Sequence, residues 1–321
     1  MKNIFIEQIK AGDKVNEFFL VEEKNLAFSQ KGAPYLSLRL KDKSGQLDGR
    51  VWENAMKFEK AFKKGDIVFV QSRAVSYKGI IQLSIIDVRA ASEEEIDWAD
   101  YLPMVKGNID DMYRELMSLA DQVTSPPLQA LLRAFFGDEE IVSLFRRAPA
   151  AKGFHHVHIG GLLEHTLSVT KLLAMVADHY PKSNRDLLLV GGILHDIGKI
   201  HEFSYQGNID YSDEGRLIGH IVIGLEMLNA KIATIPGFPA KLAMELRHLV
   251  LSHHGMLEYG SPKRPKTVEA MIVHQIDDMD AKVNAFQEFI GGSNQTESDW
   301  TPFHRLFERY IYKGSSEPVA E

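Results

Sequence analysis

Residues 191–199 read Gly191-Gly192-Ile193-Leu194-His195-Asp196-Ile197-Gly198-Lys199. This stretch places an imidazole beside a carboxylate in an otherwise apolar, helix-like segment. Burial of such a pair is costly unless each side chain is hydrogen-bonded, paired or bound to a metal ion. A His-Asp doublet also supplies two common ligand types for a divalent cation. The doublet alone fits a structural hydrogen-bonded pair as well, so a metal site requires partners elsewhere in the chain.

Candidate partners lie on both sides of the doublet, in apolar contexts with helical spacing. His165, for example, has Leu162 and Val169 at offsets of three and four, so it lies on the same helix face as apolar residues. A single histidine on an apolar face is usually a core residue, but several together with aspartates favour a metal centre. The candidates are His165, His220, His253, His254, Asp277 and Asp280.

The order of these residues is His, His-Asp, His, His, Asp. In this order the chain resembles the HD-domain superfamily of metal-dependent phosphohydrolases. The phrases Gly-Gly-Leu-Leu-Glu-His-Thr, Leu-His-Asp-Ile-Gly-Lys and Ser-His-His-Gly resemble more specifically the YhaM-type 3′→5′ exoribonucleases, in which an OB-fold precedes the HD domain. That resemblance covers nearly the whole chain. It implies the metal ligands His165, His195, Asp196, His220, His253 and Asp277.

The resemblance also implies two divalent ions, with Asp196 as a bridging and catalytic carboxylate. Imidazole and carboxylate ligands without thiolate suit Mn²⁺ first, and Fe²⁺, Co²⁺, Ni²⁺ or Zn²⁺ are alternatives. The ligands of the first ion would be His165, His195, Asp196 and Asp277. The ligands of the second would be Asp196, His220 and His253.

Three neighbouring residues have two interpretations each. Lys199 is either a catalytic residue that holds a substrate phosphate or a residue that ends a helix. Asp280 lies three residues after Asp277 and competes with it for the last ligand position. His254 competes with His253, because adjacent residues on a helix point about 100° apart and only one reaches a shared site.

A further group of histidines, His155, His156 and His158, precedes the first ligand helix. A separate zinc site is disfavoured there, because a fourth ligand is missing and the chain has no cysteine. We expect these histidines at the rim of the active site, where they would contact phosphate or support a ligand; exposed loop histidines are the alternative. Arg216 is similar: it either clamps phosphate or is simply exposed.

The N-terminal third has short β-rich runs separated by turn residues. A helix is predicted between the third and fourth runs, over Glu53 to Lys64. Five strands with one inserted helix fit the OB barrel, although another small β-barrel would give the same pattern. The runs are Phe18-Phe19-Leu20-Val21, Tyr35 to Leu40, Leu47 to Trp52, Ile67 to Val70 and Ile80 to Ile85.

Charge separates this third from the rest. Residues 1–92 contain sixteen Lys/Arg against eleven Asp/Glu, whereas the remainder contains twenty-one against thirty-three. Cations interleaved with aromatic residues are what single-stranded nucleic acid requires, although the aromatics could instead be barrel core and the lysines ordinary surface. The residues predicted to bind nucleic acid are Lys31, Tyr35, Arg39, Arg50, Trp52, Tyr77 and Lys78.

The predicted organisation is a multidomain α and β protein: an OB-fold over 1–92, a linker over 93–108, an all-α HD domain over 109–314 and a disordered tail over 315–321. The absence of cysteine excludes disulfides and thiolate chemistry. With no secretory segment and no long apolar run, we expect no membrane association and a cytoplasmic location. Helices are predicted over 109–123, 127–136, 138–147, 160–179, 185–198, 215–233, 239–254, 266–290 and 302–312.

The function expected from the resemblance and the basic barrel is a metal-dependent 3′→5′ exoribonuclease that degrades single-stranded RNA to nucleoside 5′-monophosphates, with single-stranded DNA as a further substrate. The alternative is an HD-domain phosphohydrolase of small nucleotides or cyclic dinucleotides with a regulatory OB domain. A third hypothesis is a nucleic-acid-binding protein with a structural metal site. The sequence leaves the oligomeric state open.

Overall fold

The computed structural model describes residues 2–29, 32–77, 79–101, 105, 107–151, 158–204, 209–293 and 298–314. The chain forms two compact units, of which residues 1–104 with residues 204–210 make the first and the other residues make the second. Several sequence predictions concern residues outside the described ranges. These are Lys31, Lys78, His155, His156 and the tail, residues 315–321.

The first unit is a closed five-stranded barrel with the strand order β1-β2-β3-β5-β4. Neighbouring strands are antiparallel except for β3 and β5, which are parallel. A short helix, α1, lies between β3 and β4, so the predicted OB-like architecture is confirmed. The elements are β1 Lys14–Phe28, β2 Pro34–Asp42, β3 Gly45–Val51, α1 Ala55–Glu59, β4 Ile67–Tyr77 and β5 Ile80–Ala90.

Side-chain alternation decides which face of each barrel strand is polar. On β2, Leu36, Leu38 and Leu40 are fully or almost fully buried in the barrel, and Arg39 between them is exposed. Helix α1 is shorter than predicted at both ends: it begins after Asn54, which has a left-handed φ of 55°, and it ends at Glu59. The polar faces of the strands are thus available for a ligand.

Residues 93–101, which the sequence places in a linker, pack against the barrel. Tyr101 is 1 % exposed and lies in one apolar cluster with Leu20 and Ile67, and Ile96 and Trp98 pack against that cluster. The N-terminal segment is anchored as well, since the Lys2 ammonium donates to the Phe18 carbonyl at 2.5 Å. Segments on both sides of the strands therefore belong to the first unit.

The second unit is mainly helical. Its apolar core surrounds α5 and α6, whose residues Leu163, Val169, Leu188 and Val190 are fully buried. The helices are α2 Ile109–Ala120, α3 Pro126–Phe136, α4 Glu139–Arg147, α5 Gly161–His179, α6 Arg185–Leu194, α7 Lys199–Glu202, α8 Asp213–Leu217, α9 His220–Ala233, α10 Ala240–Ser252 and α11 Val268–Gly292. Two short strands, β6 Phe203–Ser204 and β7 Asp210–Tyr211, pair with each other.

Two predicted helices are interrupted where the sequence contains glycine. The helix predicted over 185–198 ends at Leu194, and Lys199 begins the separate helix α7. The helix predicted over 215–233 divides into α8 and α9 at Gly219, whose φ of 77° is incompatible with a continuous right-handed helix. Apolar periodicity continues across both interruptions, which is why the sequence pattern does not reveal them.

The helix predicted over 302–312 is wrong. This segment forms an antiparallel turn, in which the backbone NH groups of Thr301 and Lys313 donate to the carbonyls of Ile311 and Asp299. Glu308 has a left-handed φ of 52°, which a helix would not accommodate. The aromatic residues of this segment are spaced in a way that fits both the helical period and the alternation of a strand.

No helix among the described residues combines the length and the apolar character needed to cross a bilayer. The cytoplasmic location stays a prediction.

Candidate metal centre

The His195-Asp196 doublet lies in a tight turn between two helices. Helix α6 begins after Asn184, whose side chain accepts a hydrogen bond from the backbone of Leu187, and it ends one residue before His195. Gly198 then passes so close to α9 that an added Cβ would stand 2.1 Å from the carbonyl oxygen of His220. The apolar residues of the stretch therefore bury the doublet, and its glycine allows α9 to approach.

Two clusters of donor atoms meet at Asp196. In each cluster one potential ligand atom from every member lies within 4.8 Å of those of the others. The first cluster comprises His165, His195, Asp196 and Asp277. The second cluster comprises Asp196, His220, His253 and His254. The structure thus brings together the residues that the resemblance implies for both ions, and it adds His254 to the second set.

Three atoms of the second cluster lack hydrogen-bond partners among the described residues. Asp196 Oδ1, His220 Nε2 and His253 Nε2 are all buried without one. The two histidine nitrogens each lie 3.4 Å from Asp196 Oδ1. Buried polar atoms are almost always satisfied, so three converging atoms without a partner form the kind of donor set that a cation would satisfy. The residues therefore fit a divalent metal ion.

The donor atoms of the first cluster also lie close together. His165 Nε2 lies 3.1 Å from Asp277 Oδ1 and 3.6 Å from Asp196 Oδ2. His195 Nε2 is 3.4 Å from the same oxygen of Asp196. Asp196 thus directs one carboxylate oxygen toward each cluster, which is the arrangement needed for a residue shared by two ions.

Each of four histidines is oriented through its Nδ1 atom, so that Nε2 points into a cluster. Two of the acceptors are carboxylates, and the other two are backbone carbonyls one helical turn back. Such contacts fix the tautomer and the orientation of a ligand imidazole. The pairs are His165 with Asp280 at 2.8 Å, His195 with the Gly192 carbonyl at 2.8 Å, His220 with Glu202 at 2.9 Å and His253 with the Val250 carbonyl at 2.8 Å.

The structure separates the two competing aspartates. Asp277 contributes to the first cluster, whereas Asp280 contacts the opposite nitrogen of His165 and also accepts a hydrogen bond from Ser168. Their spacing of three residues places both on the same face of α11, but at different depths along that face. The sequence pattern alone does not distinguish these two positions.

Lys199 lies inside the site and does not end a helix. Its ammonium is 2.6 Å from Asp196 Oδ2, and the residue is buried. Burial by itself would raise the pKa of Asp196, but Lys199 and His195 outweigh it and hold that pKa well below the usual range. Burial likewise opposes the charge on Lys199, whose pKa is nonetheless raised by Asp196. The shared carboxylate is therefore ionised.

His254 reaches the second cluster together with His253, although the sequence predicts that only one of the two does so. Helix α10 ends at Ser252, two residues earlier than predicted. Its Nδ1 atom lies 2.8 Å from the carbonyl oxygen of Tyr259. Burial, followed by the neighbouring His253, lowers the pKa of His254 to about 4, so its imidazole is neutral and able to act as a ligand.

Two further predicted residues, His158 and Arg216, are close to cluster members along the chain but do not belong to either cluster. His158 Nε2 lies 2.8 Å from Glu164 Oε2. Arg216 is exposed on α8, four residues before His220. Neither belongs to the donor sets that the described residues form.

Two supporting residues were missed by the sequence analysis. Glu202 accepts hydrogen bonds from both the backbone N and Nδ1 of His220, and His274 contacts the His253 carbonyl at 2.8 Å through Nδ1. Neither residue stands in a recognisable motif. The only sequence signal for Glu202 is a carboxylate in an apolar segment three residues after Lys199.

On the barrel, the structure brings together four of the residues predicted to bind nucleic acid. Tyr35 and Trp52 stack with ring centroids 4.7 Å apart, and Trp52 is half exposed. Arg39 and Arg50, on β2 and β3, both pair with Asp48, at 3.6 Å and 3.4 Å. Tyr77 lies apart from them, exposed at the end of β4.

Residues 162–282 match the family model of the HD domain. That range contains every member of the two donor clusters, so the helical unit contains an HD domain that carries the clusters. The chain therefore combines an HD domain that carries His/Asp donors with an OB-like barrel. The HD domain accounts for the order of ligands along the chain, while the barrel lies outside the match.

Solved structures similar to each part share low sequence identity with this chain. The second OB-fold domain of replication protein A from Methanococcus maripaludis is 23% identical, with 28% of this chain and 96% of that chain covered and a TM-score of 0.24. Rim1, a mitochondrial single-stranded DNA binding protein from S. cerevisiae, is 16% identical, with 26% of this chain and 98% of that chain covered and a TM-score of 0.22. The HD domain of the L. monocytogenes phosphodiesterase PgpH is 20% identical, with 52% of this chain and 80% of that chain covered and a TM-score of 0.29. At these TM-scores the similarities carry no weight for function.

Proposed function

We propose that this protein is a metal-dependent 3′→5′ exonuclease that hydrolyses single-stranded RNA, and single-stranded DNA as a further substrate, to nucleoside 5′-monophosphates. The helical unit would perform the hydrolysis, and the barrel would bind the strand. The polarity of degradation, the products and Mn²⁺ as the preferred ion are taken from the resemblance to YhaM-type enzymes.

The observation that carries this proposal is the convergence of the two donor clusters on Asp196. Its Oδ1 atom faces two histidine nitrogens that have no hydrogen-bond partner among the described residues, and its Oδ2 atom faces the first cluster. Two divalent ions held in this way would polarise a phosphodiester and activate water for attack on phosphorus. A purely structural site would not require a carboxylate shared between two sets of ligands.

The side chains of the site have distinct parts in this proposal. Asp280 and Glu202 keep His165 and His220 in the orientation that a ligand needs. Lys199 places a buried ammonium beside the shared carboxylate. A substrate phosphate close to Asp196 would be stabilised by that charge, since an ammonium is a suitable partner for a phosphate oxygen. Lys199 is therefore assigned to substrate binding.

The barrel supports a polymeric substrate over a free nucleotide. Stacked Tyr35 and Trp52 present an exposed aromatic surface, and Arg39 and Arg50 supply cations on the neighbouring strands β2 and β3. Bases stack on such rings whatever their sequence, while cations neutralise the backbone. Because Asp48 reduces the net charge of this face, we assign the face base stacking as its main role and phosphate binding as its second.

A product ladder tests the proposal. A 5′-labelled RNA of random sequence and its DNA counterpart are each incubated with the full chain and Mn²⁺. Progressive shortening of the labelled strand, with nucleoside 5′-monophosphates in solution, is expected. Asp196→Asn serves as the control that should leave the strand intact.

Two results would contradict the proposal. An intact strand under a range of divalent ions would exclude the nuclease. Turnover of cyclic dinucleotides or free nucleotides at a rate far above that for oligomers would instead favour a phosphohydrolase of small nucleotides, with a regulatory role for the barrel.

A further inference from the structure

A basic segment follows the second donor cluster directly. Residues 255–266, here called the basic loop, connect His254 to the start of α11. Three cations of this loop are exposed, against a single exposed carboxylate, Glu258. The cations are Lys263, Arg264 and Lys266. This excess of positive charge contrasts with the chain after residue 92 as a whole, since residues 93–321 contain thirty-three Asp/Glu against twenty-one Lys/Arg.

The loop is held at three points, one of which is His254 of the second cluster. His254 Nδ1 and the Tyr259 carbonyl oxygen are 2.8 Å apart, and the backbone N of Lys266 donates to His248 Nε2 at 2.8 Å. At the start of the loop, Gly255 adopts a φ of 76° and packs on His274, whose ring an added Cβ would meet at 2.1 Å. The conformation of the loop is therefore coupled to a member of the second cluster.

Among the described residues, the exposed cations of the loop have no ion-pair partner, and its tyrosine ring is largely exposed. The Tyr259 side chain is 63% exposed although its own carbonyl contacts the donor cluster. In the part of the chain that the structure describes, no carboxylate lies within ion-pair distance of Lys263, Arg264 or Lys266. An aromatic ring and several cations held beside a hydrolytic centre match the two needs of single-stranded nucleic acid, stacking and neutralisation of phosphates.

We propose that the basic loop binds the nucleotides next to the cleaved phosphodiester, so that Tyr259 stacks on a base and Lys263, Arg264 and Lys266 neutralise backbone phosphates. This inference rests on the proposed nuclease function, because it requires the end of a strand to lie at the donor clusters. It assigns the HD domain a binding surface of its own for nucleic acid. The loop would then hold the 3′ end of the strand in place between successive cuts.

The test compares variants of the loop with matched variants elsewhere in the same unit. Lys263→Gln/Arg264→Gln and Tyr259→Ala change the loop, while Lys182→Gln/Lys241→Gln and Tyr310→Ala remove exposed cations and an exposed tyrosine elsewhere in the same unit. Affinity for a 5′-fluorescein-labelled oligouridylate is measured by anisotropy at several salt concentrations, without divalent ions so that no strand is cut. Tyr259→Phe, which keeps the ring, checks that stacking is the property measured.

The loop double variant should bind the strand about tenfold more weakly at low salt, and its salt slope should fall by about 0.7 for each phosphate contact removed. Tyr259→Ala should weaken binding by roughly fivefold or more, while Tyr259→Phe and the control variants should bind like the wild type. In addition, a 4-thiouridine at the 3′ end should cross-link to the loop peptide on irradiation, and one at the 5′ end should not.

Equal affinity and equal salt slopes in loop and control variants, with 3′ cross-links outside residues 255–266, would overturn the inference. Because binding is measured without cleavage, this failure is distinct from failure of the proposed function. A protein that binds the strand through the loop but never shortens it with metal ions would lose only the nuclease assignment. If the loop variants cleave normally and bind with unchanged affinity, only the proposed role of the basic loop is rejected.

Discussion

The carboxylate of Glu202 holds His220 at two atoms. Its Oε1 lies 3.0 Å from the backbone N and 2.9 Å from Nδ1 of that residue, while Nε2 of the same imidazole faces Asp196 at 3.4 Å. Asp280 orients His165 in the first cluster in a similar way. Each cluster therefore contains one histidine oriented by a buried carboxylate, and this symmetry allows the two ion sites to be weakened separately.

Glu202→Gln should weaken the second site alone. The amide oxygen can still accept a hydrogen bond, but the loss of charge lowers the basicity of the ligand imidazole, for which a loss of about 10- to 100-fold in metal affinity is typical. Titration calorimetry with Mn²⁺ should show one of two binding steps weakened. Asp280→Asn is the matched variant and should weaken the other step. If both variants weaken the same step, the two clusters do not bind ions independently.

Trp52→Ala should reduce the affinity of the barrel for single strands. Loss of one stacking platform corresponds to roughly a five- to hundredfold increase in Kd. The chain offers a control, because Trp300 is also half exposed and pairs with Tyr312 at 5.2 Å between ring centroids, in the other unit. Trp300→Ala should leave the anisotropy titration unchanged. A Kd that rises equally in both variants would mean that the Tyr35–Trp52 pair has no special part in binding.

Gly198→Ala should destabilise the site through the backbone. The new Cβ would lie 2.1 Å from the His220 carbonyl oxygen, so α9 must shift, at a cost of about 1–3 kcal/mol. Thermal unfolding should show a lower Tm, and Mn²⁺ should stabilise the variant less than the wild type. Gly291→Ala, on α11 with nothing within 4 Å of the new Cβ, is the control and should not lower Tm. An unchanged Tm for Gly198→Ala would show that α9 adapts freely.

Much of this architecture follows from local sequence patterns. Five β-rich runs with one inserted helix predict a small barrel of the OB type, and this prediction depends on short-range periodicity. The residues that the structure brings together around His195 are predicted from the resemblance to the HD-domain superfamily, to which the costly burial of the polar doublet first points. The roles of the ligands stay predictions until metal binding is measured.

Other features depend on contacts that periodicity does not encode. The division between α8 and α9 results from the φ of Gly219, and the turn at 302–312 competes with a helix of similar apolar spacing. The separation of Asp277 from Asp280, and the part of Glu202, depend on distances between helices far apart in sequence. A single amino-acid sequence contains no information on these distances.

Lys2 gives the barrel a pH-dependent contribution to stability. Burial lowers the pKa of Lys2 below its ordinary value of 10.5, and the attraction of Asp42 opposes this only in part. Between the lowered pKa and 10.5 the unfolded chain binds more protons than the folded chain, so the free energy of unfolding rises with pH in that window.

Denaturant unfolding at a series of alkaline pH values tests this contribution. The difference in unfolding free energy between the wild type and Lys2→Met should change in favour of the wild type as pH increases toward 10.5. Lys10→Met removes an exposed lysine from the same segment and controls for the loss of one positive charge. A difference that stays constant with pH would contradict the expected effect of burial.

The shared carboxylate is tested most directly by counting bound ions. Calorimetric titration of the wild type with Mn²⁺ should give two ions per chain, and Asp196→Asn should lose high-affinity binding at both sites, because a neutral amide cannot serve two ions as a carboxylate does. The double variant Asp196→Asn/Lys199→Met relieves the buried ammonium and confirms that the loss is not due to misfolding. Retention of one ion at wild-type affinity in these variants would contradict a site built around Asp196.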